Sequence, residues 1–306
     1  MIKMTTGIQN AAQLLQGSIK NALLAAESWR LSEINEIRLR LNKHVSFSAG
    51  GKNMYLARDG KICESATGCL TANESDIEYA FKTAYSYSLH SYSKELAMGY
   101  VTTRGGNRVG ICGTAVTSGC ENASVESVKY ISGVNIRIAR QVKGFADRLF
   151  AECFCSSLSG VLIVGPPSSG KTTLLRDLAR LVGSCARLCI IDCQNEISAT
   201  YRGNSENDIG ELTDVFVGYP KHSGVSTAIR VMSPQVIMVD EIGSEQDLVS
   251  LEYALHSGVK LITAVHAKNL EDALKKPCIK ALVRENEFEY AAELSDGFDY
   301  AVTKIA

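Results

Sequence analysis

The chain opens with apolar residues at helical spacing. Ile8, Ala12, Leu15, Ile19 and Leu23 recur every three or four positions, and that period predicts one amphipathic helix. Its other face is polar without being basic, which points to core packing rather than membrane binding. The stretch "EIRLRLNKHVSFSAGGKNMYLARDGKICES" then alternates. Ile37, Leu39 and Leu41 fall on one face, with Arg38 and Arg40 on the other, so short strands and turns are predicted. Helical spacing returns in "NESDIEYAFKTAYSYSLHSYSKELAMG". Its tyrosines suit an interaction surface and a helix packed on a small sheet equally well. "YVTTRGGNRVGICGTAV" reads as a hairpin turning through Arg104-Gly105-Gly106-Asn107-Arg108, and "GVNIRIARQV" as one more alternating strand.

From Val161 the pattern changes. "VLIV", "RLCIIDC", "PQVIMVDE" and "VKLITAVHA" are apolar runs separated by helical stretches, the alternation that gives a parallel sheet covered on both faces. The last segment, "EFEYAAELSDGFDYAVTKIA", predicts a hairpin around Ser295-Asp296-Gly297. Two domains are therefore expected. Residues 1–145 form a smaller α+β domain for assembly or partner docking, and residues 146–306 an α/β domain with a mostly parallel sheet.

Composition adds limits. The chain has 306 residues, 45% of them hydrophobic, enough for two ordinary cores. A formal net charge of -1 exerts no general pull toward nucleic acid or anionic membrane, and Arg104 with Arg108 is too small a patch to reverse that. Ten cysteines show no paired metal-site spacing and read as reduced, mostly buried thiols of a cytoplasmic protein. No apolar segment approaches the ~20 residues that span a bilayer. The N-terminal stretch mixes Lys3, Gln9, Asn10 and Gln13 where a secretion signal would be apolar. Any membrane is expected to be reached through partners.

Candidate chemistry centres on "VLIVGPPSSGKTTLLRDLAR", residues 161–180. Gly165-x-x-x-x-Gly170-Lys171-Thr172 follows a strand-like run and opens a helix carrying Leu174, Leu175, Leu178 and Leu181. This is the context of a phosphate-binding P-loop. Backbone N–H groups and the helix N-terminus would cradle the phosphates of ATP, Lys171 would reach the β and γ oxygens, and the Thr172 hydroxyl would ligate Mg2+. The expected nucleotide contacts are Gly165, Pro166, Pro167, Ser168, Ser169, Gly170, Lys171, Thr172 and Thr173. Arg176 is expected to point away along the helix. "VIMVDE" ends a strand in two carboxylates at the sheet edge where ligands sit in parallel sheets. Asp240 suits the metal and Glu241 the attacking water. "TAVHA" brings His266 to the same edge, either to meet the γ-phosphate or as a structural histidine. "DCQNEI" does the same for Asp192 and Glu196.

These boxes, in this order, resemble the RecA-like ATPases that drive bacterial secretion and pilus assembly. "GPPSSGKT" resembles their Walker A, Asp192 and Glu196 their acidic box, "VDE" their Walker B, "HSGVKLITAVHA" their histidine box, and Arg230 the arginine just before Walker B. The blocks "INEIRLR", "GGNRVGICGTAV", "NIRIARQVKG", "NDIGELTDV" and "MSPQVIMVDEIG" extend the likeness over nearly the whole chain, to the stage III sporulation protein AA family, a relative of those ATPases. The resemblance implies a mother-cell cytoplasmic ATPase on a membrane channel complex facing the forespore. It implies a small α/β domain before a RecA-like ATPase domain, assembled as a ring, most simply a hexamer. Glu241, Glu196, His266 and Arg230 would be catalytic, and Arg137 and Arg140 of "NIRIAR" would complete a shared nucleotide site. Cys193, Gln194 and Leu212 depart from the family pattern and imply slow turnover. A nucleotide-gated scaffold and a nucleic-acid-dependent ATPase are the competing readings.

Overall fold

The computed structural model describes residues 6–85, 99–117, 125–243, 246–249, 251, 257–295 and 299–305. The chain separates into two compact units, Met1–Arg140 and Gln141–Ala306.

In the first unit the opening helical pattern is divided. Helices α1 (Thr6–Gln13) and α2 (Gly17–Ala25) replace the single expected helix, because the backbone is extended at Gln16, with φ -126° and ψ 171°. The apolar stripe still works as expected, since Ile8, Ala12, Leu15, Ile19 and Leu23 are all buried. A short helix α3 (Ser28–Leu31) leads into β1 (Ile34–Arg40). Strands β3 (Ser46–Ala49), β4 (Lys52–Leu56) and β5 (Ile62–Cys63) follow, with β2 (Lys43–His44) and β6 (Thr71–Ala72) paired separately. Helix α4 (Glu74–Ala84) opens on a capping box in which Asn73 and Asp76 satisfy each other's backbone N–H. The tyrosine-rich continuation at 86–98 lies outside the described residues.

Strand β7 (Tyr100–Thr102) makes the expected hairpin with β8 (Arg108–Thr117). The strand β9 (Val125–Arg137) begins earlier than its alternating segment suggested, and it stops at Arg137. The sheet order is β5-β4-β3-β1-β9-β8-β7, and its paired neighbours run antiparallel. Ile37 and Leu39 of β1 join the apolar stripes of α1, α2 and α4 in one core. Leu41 does not: it lies beyond the strand end, exposed, beside Asn42 with its φ of 58°.

The second unit is built as the apolar runs require. After α5 (Asp147–Phe154) comes β10 (Val161–Gly165), then α6 (Lys171–Val182) and β11 (Leu188–Asp192). A small ribbon, β12 (Thr200–Tyr201) with β13 (Asn204–Ser205), precedes β14 (Thr213–Val217), α7 (Lys221–Met232) and β15 (Val236–Val239). Then follow β16 (Lys260–His266), α8 (Leu270–Leu274), α9 (Pro277–Arg284), β17 (Tyr290–Ser295) and β18 (Asp299–Lys304). The sheet order is β14-β11-β15-β16-β10-β17-β18. Its pairs are parallel except for the closing β17–β18 hairpin, whose turn at 296–298 lies outside the described residues. Successive strand residues point to opposite faces. Ile163, Ile190, Met238 and Ala264 therefore pack on one side with Leu174 and Leu178 of α6. Leu162, Ile191, Val239 and Val265 pack on the other with Val225, Ala228 and Ile279. Burial on both faces is why these strands read as unbroken apolar runs.

Candidate functional site

Four strands of the parallel sheet finish at one edge, delivering Gly165 from β10, Asp192 from β11, Asp240 just after β15 and His266 from β16. Gly165 and His266 are direct partners in the β10–β16 register. The edge is closed by residues 166–170 and the N-terminus of α6. A Cβ on Gly165 would stand 2.5 Å from Ser169 Oγ and 3.2 Å from Leu294 Cβ, so a larger residue would push the Ser169 side chain out of its place. Gly170, at the helix N-cap, has φ 103°, a left-handed conformation that glycine adopts without penalty. Ser168 also has positive φ, at 63°, and non-glycine strain of this kind collects where a loop is shaped for a ligand. The Ser169 hydroxyl is buried without a hydrogen-bond partner, and its O–H is a donor that a phosphate oxygen would accept from.

Lys171, the first residue of α6, is only 6% exposed. Its ammonium donates to the carbonyls of Gly165 (2.8 Å) and Pro166 (2.7 Å) and to His266 Nδ1 (2.8 Å). An ammonium only donates, so Nδ1 must accept, and the proton of the neutral ring then resides on Nε2. Nε2 stands 3.0 Å from Glu241 Oε2. Lys171, His266 and Glu241 thus form one directed chain of hydrogen bonds. Burial pushes the Lys171 pKa down, with Lys276 adding to the fall and Glu241 opposing it. Lys276 is a participant that sequence pattern does not reveal; its ammonium donates to the His266 carbonyl at 2.6 Å.

Thr172 follows Lys171 and its hydroxyl lies 3.4 Å from Glu196 Oε2. Asp192 differs from expectation. It is fully buried, and its oxygens accept from Glu196 N (2.8 Å), Ile197 N (3.1 Å), Ser198 N (2.8 Å) and Ser198 Oγ (2.7 Å). Those bonds turn it toward its own loop instead of toward Lys171. Arg176 also differs: its Nη2 reaches the Glu196 carbonyl at 2.8 Å rather than pointing away.

Asp240 Oδ1 accepts from Glu241 N at 2.8 Å. Burial pushes the Asp240 carboxyl up to about 6; backbone hydrogen bonds from Glu241 and Gln194 and the charge of Lys221 oppose the rise, and Asp192 adds to it. A carboxyl that holds its proton more tightly in the folded chain stabilises the fold below that range. This stability is lost as pH rises from about 4 through 6. Asp240→Asn is therefore expected to raise the melting temperature of the nucleotide-free protein at pH 8 by about 2–4 °C, the scale of ~1 kcal/mol in a domain of this size. The gain should shrink toward pH 4, as thermal melts at both pH values would show. A lower melting temperature at pH 8 would contradict it.

The arginines are placed differently. Arg230 is exposed in the last turn of α7. That helix leads into the start of β15, so its C-terminal end lies at the sheet edge opposite residues 166–170, and nearness in sequence to "VDE" does not bring Arg230 to the site. Arg137 and Arg140 belong to the first unit. Arg137 Nε stands 3.7 Å from Glu36 Oε1, and Arg140 Nη2 donates to the Ile34 carbonyl at 2.6 Å. The nine cysteines among the described residues are free thiols. Burial pushes Cys193 up to about 11 and Cys153 and Cys189 to about 12, so they stay protonated at neutral pH. No described helix is long and apolar enough to cross a membrane.

Comparison with known proteins agrees with this architecture. Among solved structures, the ATPase DotB of Yersinia pseudotuberculosis matches with a TM-score of 0.58 at 15% identity, over 95% of this chain and 80% of that one. The pilus retraction motor PilT with bound ADP gives 0.58 at 14% identity, over 93% and 80%. These likenesses show a RecA-like secretion-ATPase fold. In sequence, stage III sporulation protein AA of Bacillus subtilis (strain 168) is 38% identical over 290 residues, covering 93% of this chain and 90% of its own. A further relative, the uncharacterized protein ycf45 of Porphyra purpurea, is 30% identical over 158 residues, covering 50% of this chain and 27% of its own. The family model for sporulation stage III, protein AA matches residues 6–297, and the chain belongs to that family.

Proposed function

We propose that the chain is a Mg2+-dependent ATPase that powers a sporulation-specific channel or secretion complex. In this reading it acts in the mother-cell cytoplasm as a ring, most simply a hexamer, docked on the membrane proteins of that complex and without inserting in the membrane. The observation that carries the reading is the bonded chain Lys171–His266–Glu241 at the mouth of a strained, glycine-dependent loop.

ATP phosphates would lie on the backbone N–H groups of residues 165–173. Lys171 would exchange its carbonyl and imidazole partners for phosphate oxygens. The donors Thr172, Asp240 and Glu196 offer oxygen only, the set that suits Mg2+. Among the described residues no group of three His, Cys, Asp or Glu side chains could hold a metal, so the phosphates would complete its shell. Mg2+, when bound, offsets phosphate charge. Glu241 would accept a proton from the attacking water, with His266 Nε2–H fixing the carboxylate's orientation. Arg137 and Arg140 would complete the site when protomers assemble, as arginines commonly do in P-loop ATPases. Arg230 is given no role in its own subunit's site.

A second reading is a nucleotide-gated scaffold with weak turnover, favoured by Cys193 and Gln194 in the acidic box. Phosphate release measured beside titration with a fluorescent ATP analogue separates the two. Binding with steady release supports the motor, binding without release supports the scaffold, and absence of binding removes both.

A further inference from the structure

Glu196 is gripped at three points. Its N–H is held by Asp192 at 2.8 Å and its carbonyl by Arg176 at 2.8 Å, while its carboxylate reaches Thr172 Oγ1 at 3.4 Å. Arg176 and Thr172 are four residues apart on α6, so they lie on one face of the helix, one turn apart. A single helix therefore supplies both the hydroxyl that faces the Glu196 side chain and the guanidinium that fixes its backbone.

The rest of the loop is bonded to match. Asp192 accepts four hydrogen bonds from residues 196–198. Asn195, with φ 55°, accepts from Thr200 N (2.6 Å) and Ser198 Oγ (3.2 Å). Asn207 donates to the Ile197 carbonyl at 2.8 Å. A loop that merely joined β11 to β12 would need none of this convergence on one carboxylate. Backbone anchors on both sides of Glu196 leave its side chain few directions, and the direction chosen is Thr172.

We infer that Arg176 and Asp192 are positioning residues that hold Glu196 beside Thr172, so that carboxylate and hydroxyl form one preset oxygen pair for the divalent cation of a bound nucleotide. The inference rests on the nucleotide-binding reading above and adds residues to it. Neither Arg176 nor Asp192 touches the cation. Partners that orient metal ligands typically tune metal affinity by about 10–100-fold. The Arg176–Glu196 bond does not involve Lys171, Gly170 or Ser169, so residues 165–171 are expected to keep their arrangement when Arg176 is changed.

The test uses the full chain and a fluorescent ATP analogue, titrated in EDTA and then at rising Mg2+, for wild type, Arg176→Lys and Arg176→Ala. Affinity in EDTA is expected to be equal across the three. The Mg2+ midpoint should rise by about tenfold or more for alanine and by less for lysine, which keeps one donor for the carbonyl. Asp192→Asn, which keeps the shape and loses acceptor strength, should shift the same midpoint. Equal midpoints, or an alanine variant that loses the same factor in EDTA as in Mg2+, would overturn the inference. If the alanine variant fails to fold, lysine against wild type decides alone: a raised midpoint supports the inference, an unchanged one overturns it. A wild type that fails to bind the analogue at all would instead defeat the nucleotide-binding reading.

Discussion

Replacing Glu241 with glutamine is expected to slow ATP turnover by ~100-fold or more while leaving binding of MgATP intact, the general scale for losing a general base. The substitution keeps the size and planarity of the group. Glutamine still offers an oxygen to His266 Nε2–H, which now stands 3.0 Å from the carboxylate. The Lys171–His266 bond on the far side of the ring is not disturbed. What disappears is the ability to take a proton. Single-turnover phosphate release, with the fluorescent analogue for affinity, separates the two effects. Turnover within a few-fold of wild type would assign the proton acceptor elsewhere. Glu196 would then be the next carboxylate to substitute, since it lies beside Thr172 on the same rim.

Lys171→Ala is expected to weaken nucleotide binding by about 10–100-fold, corresponding to the ~1.5–3 kcal/mol of a hydrogen bond to a charged group, with hydrolysis lost as a result. The fold should survive, since the helix that follows is carried by Leu174, Leu175 and Leu178 in the core. The loop should soften, because the Gly165 and Pro166 carbonyls and His266 Nδ1 all lose the ammonium they now share. Circular dichroism would show an unchanged helical spectrum, and titration would show the loss. Wild-type affinity in the variant would remove this loop from nucleotide binding altogether.

The second unit was legible from the chain because strands buried on both faces leave a plain record. The runs ending at Gly165, Asp192, Asp240 and His266 mark where four strands stop, and parallel pairing then brings those ends to one edge. Helix direction was harder to see. Arg230 is close to Asp240 in sequence, yet it precedes β15 and therefore lies at that strand's other end. Hydrogen-bond direction was not legible at all. A buried carboxylate such as Asp192 can face a ligand or its own backbone, and residue spacing is the same in either case. Arg176 was missed for a related reason: its partner is a carbonyl, which leaves no mark in the pattern of side chains. In the first unit the stripe from Ile8 to Leu23 identified the buried face correctly but not the break at Gln16, since two successive helices that pack on one core can preserve one periodicity.

The pairing of Gly165 with His266 has a consequence for how the molecule comes to work. Lys171 and His266 are 95 positions apart, and the strands that bring them together are apolar on both sides, so burial alone does not choose between adjacent alignments of β16 against β10. A slip of one position would keep both faces oily while sending the imidazole to the wrong side. The Lys171–His266 bond therefore depends on a distant pairing whose closure entropy must be met before its contacts form, the condition that makes such topologies slow to mature. A chain that has collapsed, with its helices formed, can still lack the Lys171–His266 bond until that one alignment locks.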